Sequence, residues 1–256
     1  MSGLFYLDPN PSGAPGVLFL HGLGANGSSW TLQFAPLIEA GFRPLAPDAP
    51  GFGESCYDGR GWNFRRIAAD LAALLNDLGT APAHIVGISM GGVIALQFAL
   101  DYPELVKKLV LVNTFAVLRP AHWSGYFYFF QRFLLVNTLG LPAQARVVAQ
   151  RIFPAPDQEP LRQLLVEQIT RADPRAYRAA MLNLGLFNAV NRLGEIKTPT
   201  LVVTGQYDTT VDPQRQKTLV DGIAGARQLT IPGAGHAVSI DQPELFNTAL
   251  KEFLLS

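Results

Sequence analysis

Short apolar runs alternate with longer helical patterns along most of this chain, and this alternation constrains the fold more than any other feature. Several runs are continuous in Val, Ile and Leu, as in strands buried on both faces. The predicted strands are Val17–Leu20, Phe42–Ala46, His84–Ile88, Lys108–Val112, Thr200–Val203 and Gln228–Ile231. The predicted helices are Trp30–Ala40, Phe64–Leu78, Met90–Asp101, Pro213–Ile223 and Glu244–Leu254. The pattern predicts an α/β fold, a mostly parallel, doubly wound sheet with helices on both faces.

One stretch of the chain, residues 119–192, interrupts this alternation. It contains helical patterns separated by prolines, and no convincing strand. We therefore expect an all-helical insertion late in the sheet, between the strands Lys108–Val112 and Thr200–Val203. Residues 1–118 and 193–256 would form the α/β core, and residues 119–192 a separate helical domain, called here the helical insertion.

Composition excludes several classes of protein. With 20 basic and 20 acidic side chains the formal charge is zero, whereas a nucleic-acid binder needs a basic excess or a basic stripe. A single cysteine, Cys56, excludes an internal disulfide and a multi-cysteine metal site. The amino terminus lacks a basic segment followed by an apolar core, and the apolar runs are far shorter than the ~20 residues of a membrane span. We therefore expect a soluble, cytoplasmic protein with no membrane span.

The sequence Gly-Ile-Ser-Met-Gly, residues 87–91, lies between the predicted strand His84–Ile88 and the predicted helix Met90–Asp101. A serine at such a sharp turn is held in a strained backbone conformation, with its hydroxyl exposed above the sheet edge. Glycines two residues before and after it remove side chains that would clash in the turn. The helix that follows directs its N–H groups toward a developing negative charge. Ser89 is therefore the candidate nucleophile.

A nucleophilic serine needs a base, and the chain contains four histidines. His236 is the candidate because it lies in a Gly-rich loop between the last predicted strand and the last helix. His21 follows the first core strand and lies at the same sheet edge. His84 begins a strand at the opposite edge, so we interpret it as structural. His122 lies in the helical insertion, where a polar surface or packing role is favoured.

The base needs a carboxylate that orients it. Asp208 follows the strand Thr200–Val203 and is the candidate, whereas Asp212 is better interpreted as the N-cap of the next helix. Asp48 also follows a strand but belongs to a turn rich in Pro and Gly. Asn113 could orient a histidine only weakly because it carries no charge.

The candidate residues follow one another as Ser89, Asp208 and His236, the order expected of a nucleophile-elbow arrangement. His-Gly at residues 21–22, Gly-Ile-Ser-Met-Gly-Gly at 87–92, Gly-Gln-Tyr-Asp ending at Asp208 and Gly-Ala-Gly-His ending at His236 stand beside the expected strands. With these motifs the chain resembles the α/β-hydrolase superfamily, in its serine-nucleophile branch with a helical cap. The resemblance covers nearly the whole chain, although the first antiparallel hairpin of the family is shortened.

The resemblance implies several further features. The helical insertion would be a cap, or lid, over the active site, and the backbone N–H groups of Leu23 and Met90 would form the oxyanion hole. A serine at position 89 implies an acyl-enzyme, which disfavours haloalkane dehalogenases and epoxide hydrolases, since those members place aspartate there. No metal or organic cofactor is required.

The residues around the motifs resemble those of carboxylesterases and 3-oxoadipate enol-lactonases, including Gly-His-x-x-x-x-Asp-Gln-Pro-Glu at residues 235–244. We therefore expect a small, largely apolar ester or lactone as substrate. Carbon–carbon bond hydrolysis, perhydrolysis and acyl transfer on the same triad stay open. A ligand-binding sensor on a hydrolase scaffold is an alternative of another class.

Two features of the helical insertion bear on the substrate. The segment Trp123–Val136 is rich in aromatic residues, which would pack the lid against the body or line an apolar pocket. The insertion also contains nine arginines, no lysine and four carboxylates, so it carries plus five and the rest of the chain minus five. The charges would help the lid to dock, or a lid arginine would attract anionic substrates toward Ser89.

Overall fold

The computed structural model describes residues 3–118 and 123–256, and only the backbone of residues 123–129. The described residues form one seven-stranded sheet with the order β1-β3-β2-β4-β5-β6-β7. The strands are β1 Tyr6–Leu7, β2 Gly16–Leu20, β3 Arg43–Pro47, β4 Ala83–Ile88, β5 Val106–Val112, β6 Thr200–Gly205 and β7 Arg227–Ile231. All neighbouring strands pair in parallel except β1, which pairs with β3 in the antiparallel direction. The predicted, mostly parallel sheet is confirmed, and the short β1 is its antiparallel edge strand.

The helices of the described residues also agree with the sequence patterns. Those outside the helical insertion are α1 Thr31–Glu39, α2 Phe64–Asp77, α3 Met90–Asp101, α8 Pro213–Gly222, α9 Val238–Asp241 and α10 Pro243–Leu255. Those inside it are α4 Trp123–Thr138, α5 Gly140–Ile152, α6 Glu159–Arg171 and α7 Pro174–Leu186. No described helix combines the length and the apolar character that crossing a bilayer requires.

The sheet is buried on both faces, and this explains why its strands are apolar without alternation. In β5, Leu109 and Leu111 belong to one apolar cluster while Val110 and Val112 belong to the other, because successive side chains of a strand point to opposite faces. Helices α2 and α3 contribute to the first cluster, and α1 and α10 to the second.

The helical insertion follows β5 and is held against the core by backbone and side-chain hydrogen bonds. The N–H of Asp173 donates to the carbonyl of Gly51 at 2.8 Å, and Nδ2 of Asn183 donates to the carbonyl of Trp62 at 3.0 Å. Residues 119–122, which include His122 and the predicted start of the helical domain, lie outside the described residues.

Candidate active site

Ser89 occupies the turn between β4 and α3 in a conformation that L-amino acids rarely adopt, with φ 53° and ψ −114°. The N–H of Ser89 donates to the carbonyl of Val112 at 3.0 Å. The carbonyl of Ser89 accepts from Oγ1 of Thr114 at 2.7 Å. Contacts on both sides of the residue therefore hold the strained backbone in place.

The glycines on either side of Ser89 are required by close backbone approach. A Cβ at Gly87 would lie 2.2 Å from the carbonyl oxygen of Gly91. A Cβ at Gly91 would lie 2.0 Å from the carbonyl oxygen of Leu20 in β2. Both distances are far below van der Waals contact, so only glycine lets the first turn of α3 pack this closely on the sheet. The structural reason inferred for the Gly-x-Ser-x-Gly pattern is therefore present in the fold.

His236 and Asp208 form a buried hydrogen-bonded pair. Nδ1 of His236 lies 3.0 and 3.1 Å from the two carboxylate oxygens of Asp208. The side chains are only 7% and 1% exposed, respectively. Oδ1 of Asp208 also accepts from the backbone N–H groups of Thr210 and Val211 at 2.7 and 3.2 Å. The carboxylate therefore has a fixed orientation and holds the histidine ring by its Nδ1 side.

The alternative residues for this carboxylate have other roles. Asp212 accepts from the backbone N–H of Arg215 at 3.0 Å and caps α8, as predicted. Asp48 accepts from the N–H groups of Gly27 and Glu54 at 2.7 and 2.8 Å, so it organises the turn after β3. None of these hydrogen bonds involves His236.

Asn113 joins the loops that carry Asp208 and His236. Its Nδ2 donates to the carbonyls of Gly235 and His236 at 3.0 and 2.8 Å, and its Oδ1 accepts from the N–H of Gly205 at 2.9 Å. The residue is fully buried and adopts φ 42°. From the sequence we expected Asn113 to orient the histidine ring only weakly; its contacts are instead to the backbone of the histidine loop.

Asp241 holds the histidine loop from its other side. Its Oδ2 accepts from the N–H of Gly235 at 2.8 Å, and its Oδ1 accepts from Nε2 of Gln158 in the helical insertion at 3.1 Å. Burial raises the pKa of the Asp241 carboxyl. Asp241 thus connects the loop of His236 to the helical insertion.

His21 is a structural residue of the neighbouring loop. Its Nδ1 lies 2.8 Å from the carbonyl of Gly22, and its Nε2 accepts from the N–H of Ala49 at 3.0 Å. Because Nε2 accepts, the proton is on Nδ1. Burial lowers the pKa of His21 despite the nearby Asp48. Both ring nitrogens of His21 therefore bond to backbone groups, so His21 is not available as the base for Ser89.

A cavity of about 440 Å³ lies between the core and the helical insertion, within the size range of small-molecule sites. Ser89, His236 and Leu23 line it, whereas Asp208 lies behind the histidine. Most other lining residues are apolar and include Leu118, Val148, Ile152, Phe153, Leu165 and Met181. The structure therefore brings the candidate nucleophile and the candidate base to one largely apolar cavity.

Leu23 and Met90, the residues expected to form an oxyanion hole, belong to backbone segments next to Ser89. Met90 is the first residue of α3, and the first N–H groups of a helix have no acceptor within that helix. Leu23 lines the cavity, and a Cβ at the adjacent Gly22 would lie 3.7 Å from Cβ of Ser89. The backbone of this loop therefore passes close to the serine.

Among the side chains that the structure describes, the aromatic ones that line the cavity lie outside the segment Trp123–Val136. Phe130 and Phe133 of α4 are 59% and 39% exposed and do not line it. Phe115 and Phe153 line it instead. They stand singly in the sequence, so no local pattern identified them. The side chains of Trp123–Phe129 lie outside the described residues.

No group of three or more His, Cys, Asp or Glu side chains in residues 3–118 and 123–256 has the arrangement of a metal site. Three features at the cavity suit acyl chemistry: the strained Ser89, the oriented His236 and the N-terminus of α3.

Known proteins resemble this chain over nearly its whole length. A putative carbamate hydrolase, RutD, from Variovorax paradoxus is 33% identical, covering 98% of this chain and 96% of its own length. The 2-hydroxy-6-oxo-6-phenylhexa-2,4-dienoate hydrolase of Comamonas testosteroni is 28% identical, covering 93% of this chain and 87% of its own length. The crystal structure of the enol-lactonase from Burkholderia xenovorans has a TM-score of 0.88 at 25% identity, covering 99% of this chain and 96% of its own.

A family model for the alpha/beta hydrolase fold matches residues 15–243, which span the predicted motifs from His21 to His236. The sheet order, the turn at Ser89 and these relatives agree with that match. This chain belongs to the alpha/beta hydrolase family.

Proposed function

We propose that the protein is a serine hydrolase that cleaves a carboxylic ester or lactone through an acyl-enzyme. The observation that carries the proposal is the presence of strained Ser89 and of His236, oriented by Asp208, at the same apolar cavity. Residues 119–192 would act as the cap of this site. The enol-lactonase among the similar structures supports the substrate class.

In the first half of the reaction Ser89 is the nucleophile. Nε2 of His236 takes the proton of the hydroxyl while Oγ attacks the acyl carbon, and Asp208 stabilises the imidazolium. The N–H groups of Leu23 and Met90 donate to the oxyanion. The intermediate collapses as the bond to the alcohol oxygen breaks and His236 returns the proton to that oxygen. The product of this half is the free alcohol, or the enol of an opened lactone, with the acyl group on Ser89.

In the second half water replaces the alcohol. His236 takes a proton from water as the water oxygen attacks the acyl carbon, and the second oxyanion uses the same N–H groups. The bond to Oγ of Ser89 then breaks, and His236 returns the proton to the serine. The carboxylic acid leaves and the enzyme is regenerated without a metal or an organic cofactor.

The direct test is turnover of 4-nitrophenyl esters with acyl chains of two to eight carbons by the wild type and by Ser89→Ala. We expect turnover by the wild type and a loss in kcat on the order of 10⁴-fold or more in the variant. Ser239→Ala is a matched control because Ser239 lines the same cavity in ordinary helical backbone. The esterase proposal fails if no ester is turned over, or if Ser89→Ala retains the wild-type rate.

A carbamate is a second candidate substrate, favoured by the 33% identical relative named as a putative carbamate hydrolase. Attack on a carbamate carbonyl uses the same residues, so a nitrophenyl carbamate in the same assay compares the two classes. Carbon–carbon cleavage, perhydrolysis and acyl transfer would appear as a different product or acyl acceptor. Tight ligand binding that is unaffected by Ser89→Ala, with no product formed, would indicate a sensor instead.

A further inference from the structure

The loop between β2 and α1, residues 21–30, contains Leu23 and is called here the Leu23 loop. Leu23 is followed by Gly24, which has φ +86°, a value that favours glycine. A Cβ at Gly24 would lie 2.4 Å from Cγ1 of Ile169 in α6 and 3.2 Å from Cε2 of Tyr177 in α7. Two helices of the helical insertion therefore pack directly on the backbone beside the expected oxyanion donor.

Ile169 and Tyr177 support this loop from outside the cavity. Both residues are 0% exposed, and neither lines the cavity. The ring of Tyr177 also packs against Phe52, with 6.3 Å between the ring centroids, and the ring of Phe52 lies 5.7 Å from that of His21. The Tyr177 hydroxyl has no hydrogen-bond partner among the described residues. The contribution of Tyr177 is therefore the packing of its ring.

A polar contact joins α6 to the same loop. Nε2 of Gln168 lies 3.3 Å from Oδ1 of Asn26. The same oxygen accepts from the N–H of Ser28 at 3.1 Å and so caps the short helical turn Gly27–Trp30. The helical insertion therefore contacts the loop at Gly24 and again at Asn26.

The turn after β3 holds the Leu23 loop from its other side. The N–H of Gly27 donates to Oδ1 of Asp48 in this turn at 2.7 Å. Helix α7 contacts the turn as well, because the N–H of Asp173, its N-cap, donates to the carbonyl of Gly51 at 2.8 Å. The Leu23 loop therefore lies between the turn after β3 and the helices α6 and α7.

This packing bears on catalysis because a backbone donor cannot rotate independently of its chain. The direction of the Leu23 N–H is set by the loop around it, and a misplacement of about 1 Å can cost about 10²-fold in rate. Such donors act mainly on charge that develops in the transition state. Shortening Ile169 would leave a void beside Gly24, into which the surrounding backbone can partly relax.

We propose that Ile169 and Tyr177 are positioning residues, which hold the Leu23 loop and thereby the N–H of Leu23 in place for the oxyanion. The role of this N–H belongs to the proposed function, so the inference rests on that function. The helical insertion would then contribute to the chemical step in addition to covering the cavity. Because neither residue lines the cavity, their substitution should affect kcat far more than KM.

The first test is steady-state hydrolysis of 4-nitrophenyl esters by variants at the two positions. We expect Ile169→Ala and Tyr177→Leu to lower kcat by at least about tenfold, with less than about a threefold change in KM. Ile169→Val retains Cγ1 next to Gly24, and Tyr177→Phe loses only the hydroxyl. Both conservative variants should keep kcat within about threefold of the wild-type value. If Ile169→Ala or Tyr177→Leu folds and has the wild-type kcat, the inference is overturned.

Leu141→Ala is the matched control for Ile169→Ala. Leu141 belongs to α5, is buried and does not line the cavity. Its shortening should lower the resistance to urea, as in Ile169→Ala, while kcat stays near the wild-type value. Equal losses of kcat in the two variants would show a general effect of weakened packing and would overturn the inference.

A pair of inhibitors reports on the oxyanion directly. Ser89 would add to a trifluoromethyl ketone and form a tetrahedral oxyanion, whereas the corresponding secondary alcohol binds without this step. In Ile169→Ala we expect the inhibition constant of the ketone to rise at least about tenfold, and that of the alcohol to change less than about threefold. Equal changes for the two inhibitors would overturn a role in holding the oxyanion donor.

Hydrogen exchange tests the Leu23 loop without depending on activity. The N–H groups of Ala25, Gly27 and Ser29 donate to protein oxygens at 3.2, 2.7 and 3.1 Å. Their exchange should be faster in Ile169→Ala than in the wild type and unchanged in Leu141→Ala. If no ester is hydrolysed but exchange is faster, the proposed function fails and the support of the loop by Ile169 stands. If esters are hydrolysed and Ile169→Ala matches the wild type in kcat and in exchange, the positioning role fails and the hydrolase stands.

Discussion

The side-chain amide of Asn113 donates a hydrogen bond to the main-chain carbonyl of His236 at 2.8 Å. The amide oxygen accepts from Gly205, the last residue of the strand that leads to Asp208. A single buried side chain therefore fixes the loops of the carboxylate and of the histidine relative to each other. We therefore expect the hydrogen bond between the side chains of His236 and Asp208 to depend on Asn113.

We expect Asn113→Ala to lower kcat for nitrophenyl esters by at least about tenfold with little change in KM, since His236 would lose its fixed position. The substitution leaves the N–H of Gly205 and the carbonyl of His236 without their partner, at about 1 to 3 kcal/mol for each buried group. Urea unfolding and steady-state kinetics measure the two effects.

Asn183→Ala is the control for that experiment. In the wild type the side-chain amide of Asn183 donates to the carbonyl of Trp62 at 3.0 Å, and neither residue lines the cavity. The substitution Asn183→Ala should reduce the free energy of unfolding while kcat stays near the wild-type value. Asn113→Asp retains an oxygen for Gly205 but loses the donor to His236, so its kcat should also fall. Equal kcat values for Asn113→Ala and Asn183→Ala would refute a positioning role.

The strained backbone at Ser89 predicts that the variant Ser89→Gly is more stable than Ser89→Ala. Both variants lack the hydroxyl, but glycine adopts φ 53° without steric cost. In Ser89→Ala this backbone conformation costs about 1 to 3 kcal/mol. Glycine avoids that strain but has more freedom in the unfolded chain, so we expect Ser89→Gly to exceed Ser89→Ala in free energy of unfolding by about 1 kcal/mol. Thermal unfolding should therefore place Ser89→Gly about 2 to 4 °C above Ser89→Ala. The reverse order would contradict the strained turn.

Gly91→Ala should displace the first turn of α3. The added methyl group would lie 2.0 Å from the carbonyl oxygen of Leu20, which is backbone and cannot rotate away. We expect the free energy of unfolding to fall by at least about 2 kcal/mol and esterase activity to be lost with it. Gly194→Ala is the control, since a Cβ at Gly194 meets no atom within 4 Å. If Gly91→Ala were as stable as Gly194→Ala, the close packing of Gly91 against Leu20 would not be required.

We expect His84 to cause part of the loss of stability of the fold at low pH. Burial, together with Lys107 and Lys108, lowers the pKa of His84 to about 4 from its ordinary value of 6.5. The unfolded state therefore binds the proton first, and stability is lost as the pH falls from about 6.5 toward 4. Because the pKa of His21 is lowered as well, a single substitution should reduce this loss without abolishing it.

Urea unfolding of the wild type and of His84→Leu at pH 7.5 and pH 5 measures that contribution. The stability of the variant should fall less between the two pH values than that of the wild type. An identical fall in both proteins would remove His84 as a source of the acid sensitivity.

The fold was predictable because its signals are local. Both faces of β5 are buried, which makes Leu109 to Val112 continuously apolar, and the turn at Ser89 requires glycines at fixed spacing. The positions of Asp208 and His236 followed from strand ends and loops in the same way. The sequence pattern that signals each of these features lies within a few neighbouring residues.

The cavity wall was less predictable because it is formed by residues far apart in the sequence. Phe115 and Phe153 follow no shared period, while the conspicuous Phe130 and Phe133 are exposed to solvent. Asn113 acts through main-chain groups more than 90 residues away, and no pattern reports such contacts. The charge of the helical insertion was countable, but which arginines reach the cavity depends on how α4 and α5 pack.

The most direct test of the account is the site of covalent modification by a fluorophosphonate, measured by intact mass and peptide mapping. We expect one adduct per chain, located on Ser89, absent from Ser89→Ala and formed far more slowly in His236→Ala. Modification of another residue, or an undiminished rate of adduct formation in His236→Ala, would contradict it.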